Sequence, residues 1–313
     1  MIYDKFEKLN DGKHDRAIKA LVGMSRAKFD ILAAAFAAAY PAIQQERLEQ
    51  GVIKQVQSGR PKGNLDTFGK KLFFLLFYLK TYPTFDVLGF HFGFSSGHAH
   101  NHVENLMPVL LRSLSDLGVL PERSPGTPAE LLQLVEQYGD ILIDGMECPC
   151  VRPQDEALQK ARYSGKKKRP MLKALVGTTL HRHILFLCCL FAGSIHDYTL
   201  FKKVFDPKLK WFQKVNVWLD LGFQGAEKDY GGNAKIHLPH KRQRKSKNNP
   251  KSKLTAAQVK YNRQHAKTRV PVEHAIGGMK AFHCLTHRIR NHLDPLIEYL
   301  FWLPAGLWNL KIA

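Results

Sequence analysis

The sequence predicts a chain of two parts, an all-α N-terminal region followed by an α/β domain. In residues 15–57 and 69–114, apolar side chains recur at the three- to four-residue spacing of amphipathic helices. Beyond residue 139 the pattern changes to short apolar runs separated by polar loops, which is typical of strands. A proline-rich segment, PERSPGTP at 121–128, separates the two patterns. We therefore expect residues 1–120 and 140–313 to form separate domains, joined by a hinge and helix at 121–139.

The N-terminal region has the spacing of a helix-turn-helix at about 70–114. Three helices are predicted, at 70–81, 85–90 and 96–114. In such a motif the first turns of the last helix enter the major groove of DNA. Those turns contain polar side chains suited to bases and phosphates, among them Ser95, Ser96, His98 and Asn101. The same spacing also occurs in helices that only pack together. His98 and His102 are one turn apart, but no carboxylate accompanies them, which disfavours a metal there.

The second part is predicted to mix strands and helices. The expected strands cover 140–146, 172–179, 183–191, 215–219 and 234–238, with a helix at about 197–205. Capping boxes at Thr127–Glu130 and Thr255–Gln258 predict two further helix starts. The second of these helices should run to about Thr268, and Pro271 should then start or kink the next segment.

The net charge of +20 predicts attraction to a polyanion, either nucleic acid or an anionic membrane surface. Residues 1–139 contain 16 Lys and Arg against 14 Asp and Glu, whereas residues 140–313 contain 31 against 13. The second part therefore holds +18 of the +20. Two stretches without an acid, 160–173 and 235–253, contain seven and eight Lys and Arg and are expected to be solvated loops.

Neither secretion nor membrane insertion is predicted. The N-terminus lacks an apolar stretch, and the run Leu72–Leu79 is far shorter than the roughly 20 residues that span a bilayer. The charged stretches also lack the apolar helix face of a membrane-surface binder. Five cysteines in mostly apolar runs favour a reducing compartment. The C-x-C spacing of Cys148 and Cys150 disfavours zinc.

Two aspartates occur at the ends of apolar strands. Asp144 follows Ile141–Ile143, and Asp220 follows Val217–Leu219. A carboxylate near a core needs a cation or hydrogen-bond donors, and adjacent strands would bring the two together. Paired carboxylates of this kind favour Mg²⁺. Either aspartate alone, however, is better explained as a turn or cap beyond a strand.

A glutamate shifts the balance towards catalysis. Glu273 shares a helical face with Gly277 and Lys280. We expect Gly277 to permit a close approach and Lys280 to hold a phosphate. Three acids in such contexts, in the basic part of the chain, point to a site that acts on nucleic acid.

Four segments resemble the DDE transposases of bacterial insertion sequences and their Harbinger-type relatives. They are ILIDGMECP at 141–149, AGSIHD at 192–197, WLDLGFQG at 218–225 and, most specific, LTAAQVKYNRQHAKTRVPVEHAIGGMK at 254–280. The resemblance covers roughly residues 70–313. It implies a ribonuclease H-like α/β catalytic domain at 140–313 preceded by an N-terminal all-α helix-turn-helix domain.

The resemblance implies that Asp144, Asp220 and Glu273 are the catalytic acids and hold two Mg²⁺ ions, for which Mn²⁺ can substitute. The implied reaction is two-metal phosphoryl transfer, in which water and then a DNA 3′-hydroxyl attack the phosphate. The implied partners are double-stranded DNA, namely terminal inverted repeats and a target, and further copies of the chain in a homodimer or larger assembly. We expect a cytoplasmic protein at the bacterial nucleoid.

Two matched segments leave alternatives open. Some relatives have a tyrosine three residues before the matched arginine, but this chain has Ala266, so that accessory role is absent or has moved to Tyr261. His196 and Asp197 match a family segment as well. Asp197 also suits the N-cap of the following helix, and we favour capping.

The DNA contacts expected from the helix-turn-helix, from the glutamate motif and from the basic stretches can be given together. They are Ser95, Ser96, His98, Asn101, Arg269, Lys280, Lys166, Lys167, Lys168, Arg169, Lys241, Arg242, Arg244 and Lys245. A catalytically silent, transposase-derived DNA-binding protein is the alternative function, because it needs only the helix-turn-helix and the positive charge.

Overall fold

The computed structural model describes residues 2–55, 63–231, 235–242, 253–291 and 294–313. The chain divides into two compact units. The first contains Met1–Leu120 and Gly278–Ala313, and the second contains Pro121–Gly277. In the described part of the chain, no helix combines the length and apolar character needed to cross a bilayer.

The first unit begins with six helices. They are α1 (Ile2–Glu7), α2 (Asp15–Val22), α3 (Arg26–Glu49), α4 (Phe68–Thr81), α5 (Phe85–Phe92) and α6 (Ser96–Asp116). The helical pattern predicted from residue 15 is divided between α2 and α3, because Gly23 ends α2 with a left-handed backbone at φ 82°. Helix α4 lies at the centre of the unit, since every residue from Leu72 to Leu79 is buried.

Helices α4, α5 and α6 form the helix-turn-helix that the sequence predicts. Thr84 and Ser95 cap α5 and α6, each accepting a hydrogen bond from a backbone N–H in the first turn. Gly93 ends α5 in the left-handed region at φ 74°, which few other residues adopt at low cost. The caps therefore fix the start of α6 within one residue of its predicted position.

The second unit is built on a mixed sheet, with short strands at its margins. The strands are β1 (Glu122–Arg123), β2 (Asp140–Pro149), β3 (Tyr163–Ser164), β4 (Arg169–Thr178), β5 (Ile184–Leu187), β6 (Phe191–Ala192), β7 (Asn216–Trp218) and β8 (Lys235–His237). Their main order is β1-β5-β4-β2-β7-β8, with β3 and β6 paired to β4. Strands β2, β7 and β8 are parallel, whereas β4 is antiparallel to both β2 and β5.

Helices connect these strands. They are α7 (Pro128–Val135), α8 (Glu156–Arg162), α9 (Asp197–Val204), α10 (Ala226–Asp229) and α11 (Ala256–Lys280). Thr127 and Thr255 accept the hydrogen bonds expected of the two capping boxes. The mixed sheet with a helical N-terminal region agrees with the predicted fold class, and the sheet order is consistent with a ribonuclease H-like domain.

Helix α11 differs from its prediction because it passes through Pro271 and continues to Lys280. A proline inside a helix removes one backbone hydrogen bond, but packing of the neighbouring residues offsets such a loss. Val272, Ala275 and Met279 are all buried in α11. The burial of this face explains why the helix is not interrupted.

The C-terminal segment clusters with the first unit, although the sequence-based division placed all of 140–313 in one domain. Helix α12 (Asp294–Ile312) is apolar along most of its length, with Leu300, Phe301 and Leu303 fully buried. The buried Asn309 side chain donates to the Val119 carbonyl at 3.0 Å. The apolar pattern of the sequence identifies such a helix, but it does not show which of the two units the helix packs in. The functional division at 140–313 stays a prediction.

Neighbouring glycines in α11 predict opposite effects of adding a methyl group. A Cβ at Gly278 would lie 2.0 Å from a ring carbon of Trp308, whereas one at Gly277 would meet none of the described atoms within 4 Å. We expect Gly278→Ala to destabilise the protein by about 1–3 kcal/mol through overpacking. Gly277→Ala should instead gain up to about 1 kcal/mol of helix propensity. Urea unfolding of both variants checks this, and equal midpoints would contradict it.

Candidate active site

The parallel strands β2 and β7 carry Asp144 and Asp220 past the same end of their ladder. The ladder ends at the pair Leu142–Trp218, and each acid follows its strand's last paired residue by two positions. The two carboxylates are close enough for the charge of Asp220 to act on Asp144. Strand β7 ends at Trp218, and Asp220 then caps a short 3₁₀ turn by accepting a hydrogen bond from the Gly222 N–H at 2.7 Å. The chain therefore turns directly after Asp220, and the carboxylate of Asp220 stabilises that turn.

Asp144 follows an apolar run but does not end its strand, which the sequence already predicts to reach Met146. Strand β2 continues to Pro149 because it remains paired with β4, in which Val176 lies opposite Asp144. The apolar run breaks at Asp144 where the partner β7 stops, since the pairing on that side ends at Leu142. The acid thus marks the end of one ladder rather than the end of the strand.

Burial and charge act together on Asp144. Burial raises the pKa of Asp144 above its ordinary value, the Arg269 guanidinium lowers it, and the charge of Asp220 raises it again. The Arg269 Nη2 donates to the Asp144 Oδ2 at 2.6 Å, and the Gly145 N–H donates to the Oδ1 at 2.7 Å. Two carboxylates that repel each other in a partly dry environment form a site that gains from a cation.

Arg269 has a different position from the surface phosphate contact that the sequence suggests. Its side chain is 9% exposed and forms the ion pair with Asp144. The buried Arg269 Nε has no hydrogen-bond partner among the described residues. In this structure, Arg269 therefore neutralises and orients the first acid of the pair.

Glu273 lies one helical turn beyond Arg269 and is exposed. Helix α11 is anchored one turn earlier, where the buried His265 ring meets the His237 carbonyl of β8 at 3.1 Å. The spacing of four residues puts all three side chains along one side of the helix. Among the described residues, no three His, Cys, Asp or Glu are placed to hold a metal ion. The structure thus brings Asp144 and Asp220 together and leaves Glu273 on the adjoining turn.

Gly277 and Lys280 complete the predicted helical face, and their predicted roles towards a phosphate stay predictions. A Cβ at Gly277 would have open space among the described atoms, so no close contact there requires a glycine. Lys280 is the half-buried last residue of α11. The glycine that the packing requires is Gly278.

Asp197 lies beside Gly145 and Gly222, the two glycines whose backbones contact the acid pair. A Cβ at Gly145 would lie 3.5 Å from the Asp197 Cγ, and one at Gly222 would lie 3.6 Å from its Oδ2. Each of these glycines donates its backbone N–H to one acid of the pair. The Asp197 carboxylate therefore packs against the two backbone segments that orient Asp144 and Asp220.

Capping of α9 is performed by His196 and not by Asp197, which corrects the sequence-based preference. The His196 Nδ1 accepts a hydrogen bond from the Tyr198 N–H at 3.3 Å. Asp197 is the first helical residue, and its carboxylate is taken up by Lys173 instead. The Asp197 carboxylate therefore binds Lys173 instead of capping the helix.

Lys173 is a site residue that the sequence-based reasoning missed. Its Nζ lies 3.0 Å from the Asp197 Oδ1, 3.1 Å from the Glu147 Oε1 and 2.9 Å from the Ile195 carbonyl. Burial acts to lower the pKa of Lys173, but the two carboxylates outweigh it and raise the pKa above its ordinary value. The sequence offered no direct signal for this role, because Glu147 and Lys173 become neighbours only through the register of β2 and β4.

The four residues predicted to contact DNA from the helix-turn-helix lie at the start of α6. Ser95, His98 and Asn101 are exposed in the first turns of α6, and Ser96 is half-buried. The Ser95 hydroxyl accepts from the His98 N–H at 3.3 Å, so it is also the cap of the helix. Asn101 is therefore the better test of base contact, because its replacement leaves this cap in place.

The described parts of the two basic stretches include strands as well as exposed turns. Lys166, Lys167 and Lys168 form the exposed turn between β3 and β4, and Arg169 starts β4. At the other end of this stretch, Lys173 is buried. Lys241 and Arg242 are exposed beyond β8, next to a segment in which the His240 N–H donates to Asn262 of α11 at 2.8 Å. Arg244 and Lys245 lie outside the described residues.

Comparisons with known proteins extend over both units. A family model described as "DDE superfamily endonuclease" matches residues 143–309, and one described as "Helix-turn-helix of DDE superfamily endonuclease" matches residues 63–116. The chain is 28% identical over 239 residues to the "Probable transposase for insertion sequence element IS702" of Microchaete diplosiphon. That alignment covers 75% of this chain and 78% of the relative. No solved structure gives a significant match.

Proposed function

The chain belongs to the DDE superfamily endonuclease family, and on that premise we propose that it is the transposase of an insertion sequence. It cuts DNA at the ends of its element and joins the freed 3′-hydroxyls to a target. The observation that carries the proposal is the pair of acids at one end of the parallel β2–β7 ladder, Asp144 within β2 and Asp220 just beyond β7, in the region matched by the family. The name of the relative from Microchaete diplosiphon, a probable transposase, supports the choice of reaction.

The donor set of the three candidate acids fits hard divalent cations. Asp144, Asp220 and Glu273 supply only carboxylate oxygens, which suit Mg²⁺ or Mn²⁺ better than thiophilic metals. The pair also carries mutual repulsion that a cation relieves. The three acids would hold two such ions, which would supply activation of the attacking oxygen and stabilisation of the leaving one. Glu273 would have to join the pair from the next turn of α11.

The chain's own residues orient the acids. The Gly145 and Gly222 N–H groups each fix one carboxylate oxygen, and Arg269 holds the second oxygen of Asp144. Lys173 fixes Asp197 behind the two glycines. Such orientation by surrounding hydrogen bonds is what keeps ligating carboxylates in place around a metal.

DNA binding is proposed for both units. The exposed residues of α6, Asn101 above all, are suited to reading the terminal repeats. The exposed cations at Lys166–Arg169 and at Lys241 and Arg242 would hold phosphates, with an affinity that falls as salt rises. Transposition joins two DNA ends, so we propose that the protein acts as a dimer or larger assembly at the nucleoid.

The test of the function uses the DNA that flanks the coding region. We expect the purified protein to bind short inverted repeats there and to nick them in Mg²⁺ or Mn²⁺ but not in EDTA. Specific binding without cleavage in any divalent cation would instead support a catalytically silent DNA-binding protein. Failure to prefer the flanking DNA over unrelated duplex at the same salt concentration would contradict both functions.

A further inference from the structure

A basic cavity in the second unit lies apart from the acid pair. Its volume is about 880 Å³, and it is bounded by α8 and by the hairpin of β3 and β4. The lining residues are Arg152, Gln154, Glu156, Gln159, Lys160, Tyr163, Lys168, Arg169 and Pro170. Four cations against one acid make the cavity strongly positive, so an anion is the expected ligand.

An exposed aromatic ring distinguishes this cavity from an ordinary basic surface. Tyr163 is 45% exposed. It pairs directly with Pro170 across the hairpin, so the two rings share one face of the ladder. A ring of this kind, surrounded by Arg and Lys, is the combination that binds bases and phosphates of single-stranded nucleic acid. An inorganic anion alone would not require the tyrosine.

Local hydrogen bonds fix the walls of the cavity. Arg152 Nε donates to Gln159 Oε1 at 2.7 Å, and the Gln159 side-chain amide donates to the Gln154 carbonyl at 3.3 Å. In the hairpin turn, Lys168 adopts a left-handed backbone at φ 55° and its N–H donates to the Ser164 carbonyl at 2.8 Å. Positioning of this kind lowers the cost of ordering the cations when a ligand binds.

We propose that this cavity binds an unpaired nucleotide of a DNA strand, with the base stacked on Tyr163 and its phosphates held by the surrounding Arg and Lys. Single-stranded DNA is preferred over duplex because paired bases hide their faces in the stack, whereas an unpaired base offers its face to the ring. The inference rests on the proposed function for the origin of that strand, which is the DNA end opened around the cleavage point. Binding itself requires no cleavage.

The experiment measures binding in EDTA, so that its outcome is independent of catalysis. Fluorescence anisotropy with a short labelled single strand and with a duplex is compared for wild type, Tyr163→Ala and Tyr163→Phe. We expect Tyr163→Ala to weaken single-strand binding about tenfold, because one stacked base is lost. Tyr163→Phe keeps the ring and should stay within about twofold of wild type. Tyr138→Ala, at a tyrosine 38% exposed elsewhere in the unit, should change nothing.

Photocrosslinking provides a readout that does not depend on a variant folding. A single strand containing 5-iodouracil should crosslink to Tyr163 of the wild-type protein, as identified by mass spectrometry. Unchanged single-strand affinity in Tyr163→Ala, an equal loss for duplex, or crosslinks only to other residues would overturn the proposal. Equal affinity for free thymidine monophosphate and for the strand would overturn its assignment to DNA.

Discussion

Asp144→Asn and Asp220→Asn should each abolish Mg²⁺-dependent cleavage of the flanking DNA. Asparagine has the size of aspartate and keeps an oxygen that can accept the hydrogen bond of Gly145 or Gly222, but it removes the charge that holds a cation. Even residues that only support a metal ligand cost 10- to 100-fold when replaced, so a ligand should cost at least roughly 100-fold. Single-turnover cleavage in Mg²⁺ is the measurement.

Glu273→Gln tests the third acid, for which the geometry is less direct. A comparable loss would place the exposed glutamate in the working site. Glu136→Gln is the matched control, because Glu136 is an exposed acid at the end of α7. DNA binding by all the variants should stay within a few-fold of wild type. Thermal unfolding is the control for Asp144→Asn, because this change leaves the buried Arg269 facing a neutral amide. Full cleavage by the three acid variants would contradict the proposed function.

Local patterns allowed the sequence to predict the elements that position the pair. The apolar runs before Asp144 and Asp220 identified β2 and β7, and both strands lie at the predicted places. That the two strands are parallel and in register did not follow from either run, because strand pairing is set by contacts distant in sequence. The proximity of the two acids was therefore a hypothesis until the register was known.

Other features could not be predicted because they depend on tertiary competition. Asp197 had two possible partners, a helix N-terminus and Lys173, and only the fold brings the second within 3.0 Å. Gly277 and Gly278 are equivalent in a helical pattern, and the choice between them is made by Trp308 from α12. The helical pattern also allowed Arg269 to face solvent, and only the fold places it against Asp144. In each case, the deciding atom belongs to a residue far along the chain.

Lys173→Met should be the most destabilising of the changes considered near the site. It leaves the Glu147 and Asp197 carboxylates without their shared cation, and the Glu147 side chain is only 14% exposed. Removing one partner of a buried ion pair costs about 3–5 kcal/mol, and the partial exposure of Asp197, at 29%, favours the lower end. The pKa of Lys173 is raised, so this stabilisation is fully present at neutral pH and is lost only as the pH rises through that raised value.

Two comparisons separate this buried ion pair from a general effect of losing a lysine. Lys166→Met removes an exposed lysine from the hairpin turn of the same stretch and should cost less than about 0.5 kcal/mol. Adding Glu147→Gln to Lys173→Met should recover part of the lost stability, because one uncompensated charge is removed. Urea unfolding measures the totals, and hydrogen exchange at the amides of β2 and β4 locates the loss within the second unit. Equal midpoints for Lys173→Met and Lys166→Met would mean that Lys173 does not stabilise Glu147 and Asp197. The position of Asp197 beside Gly145 and Gly222 would then need another explanation.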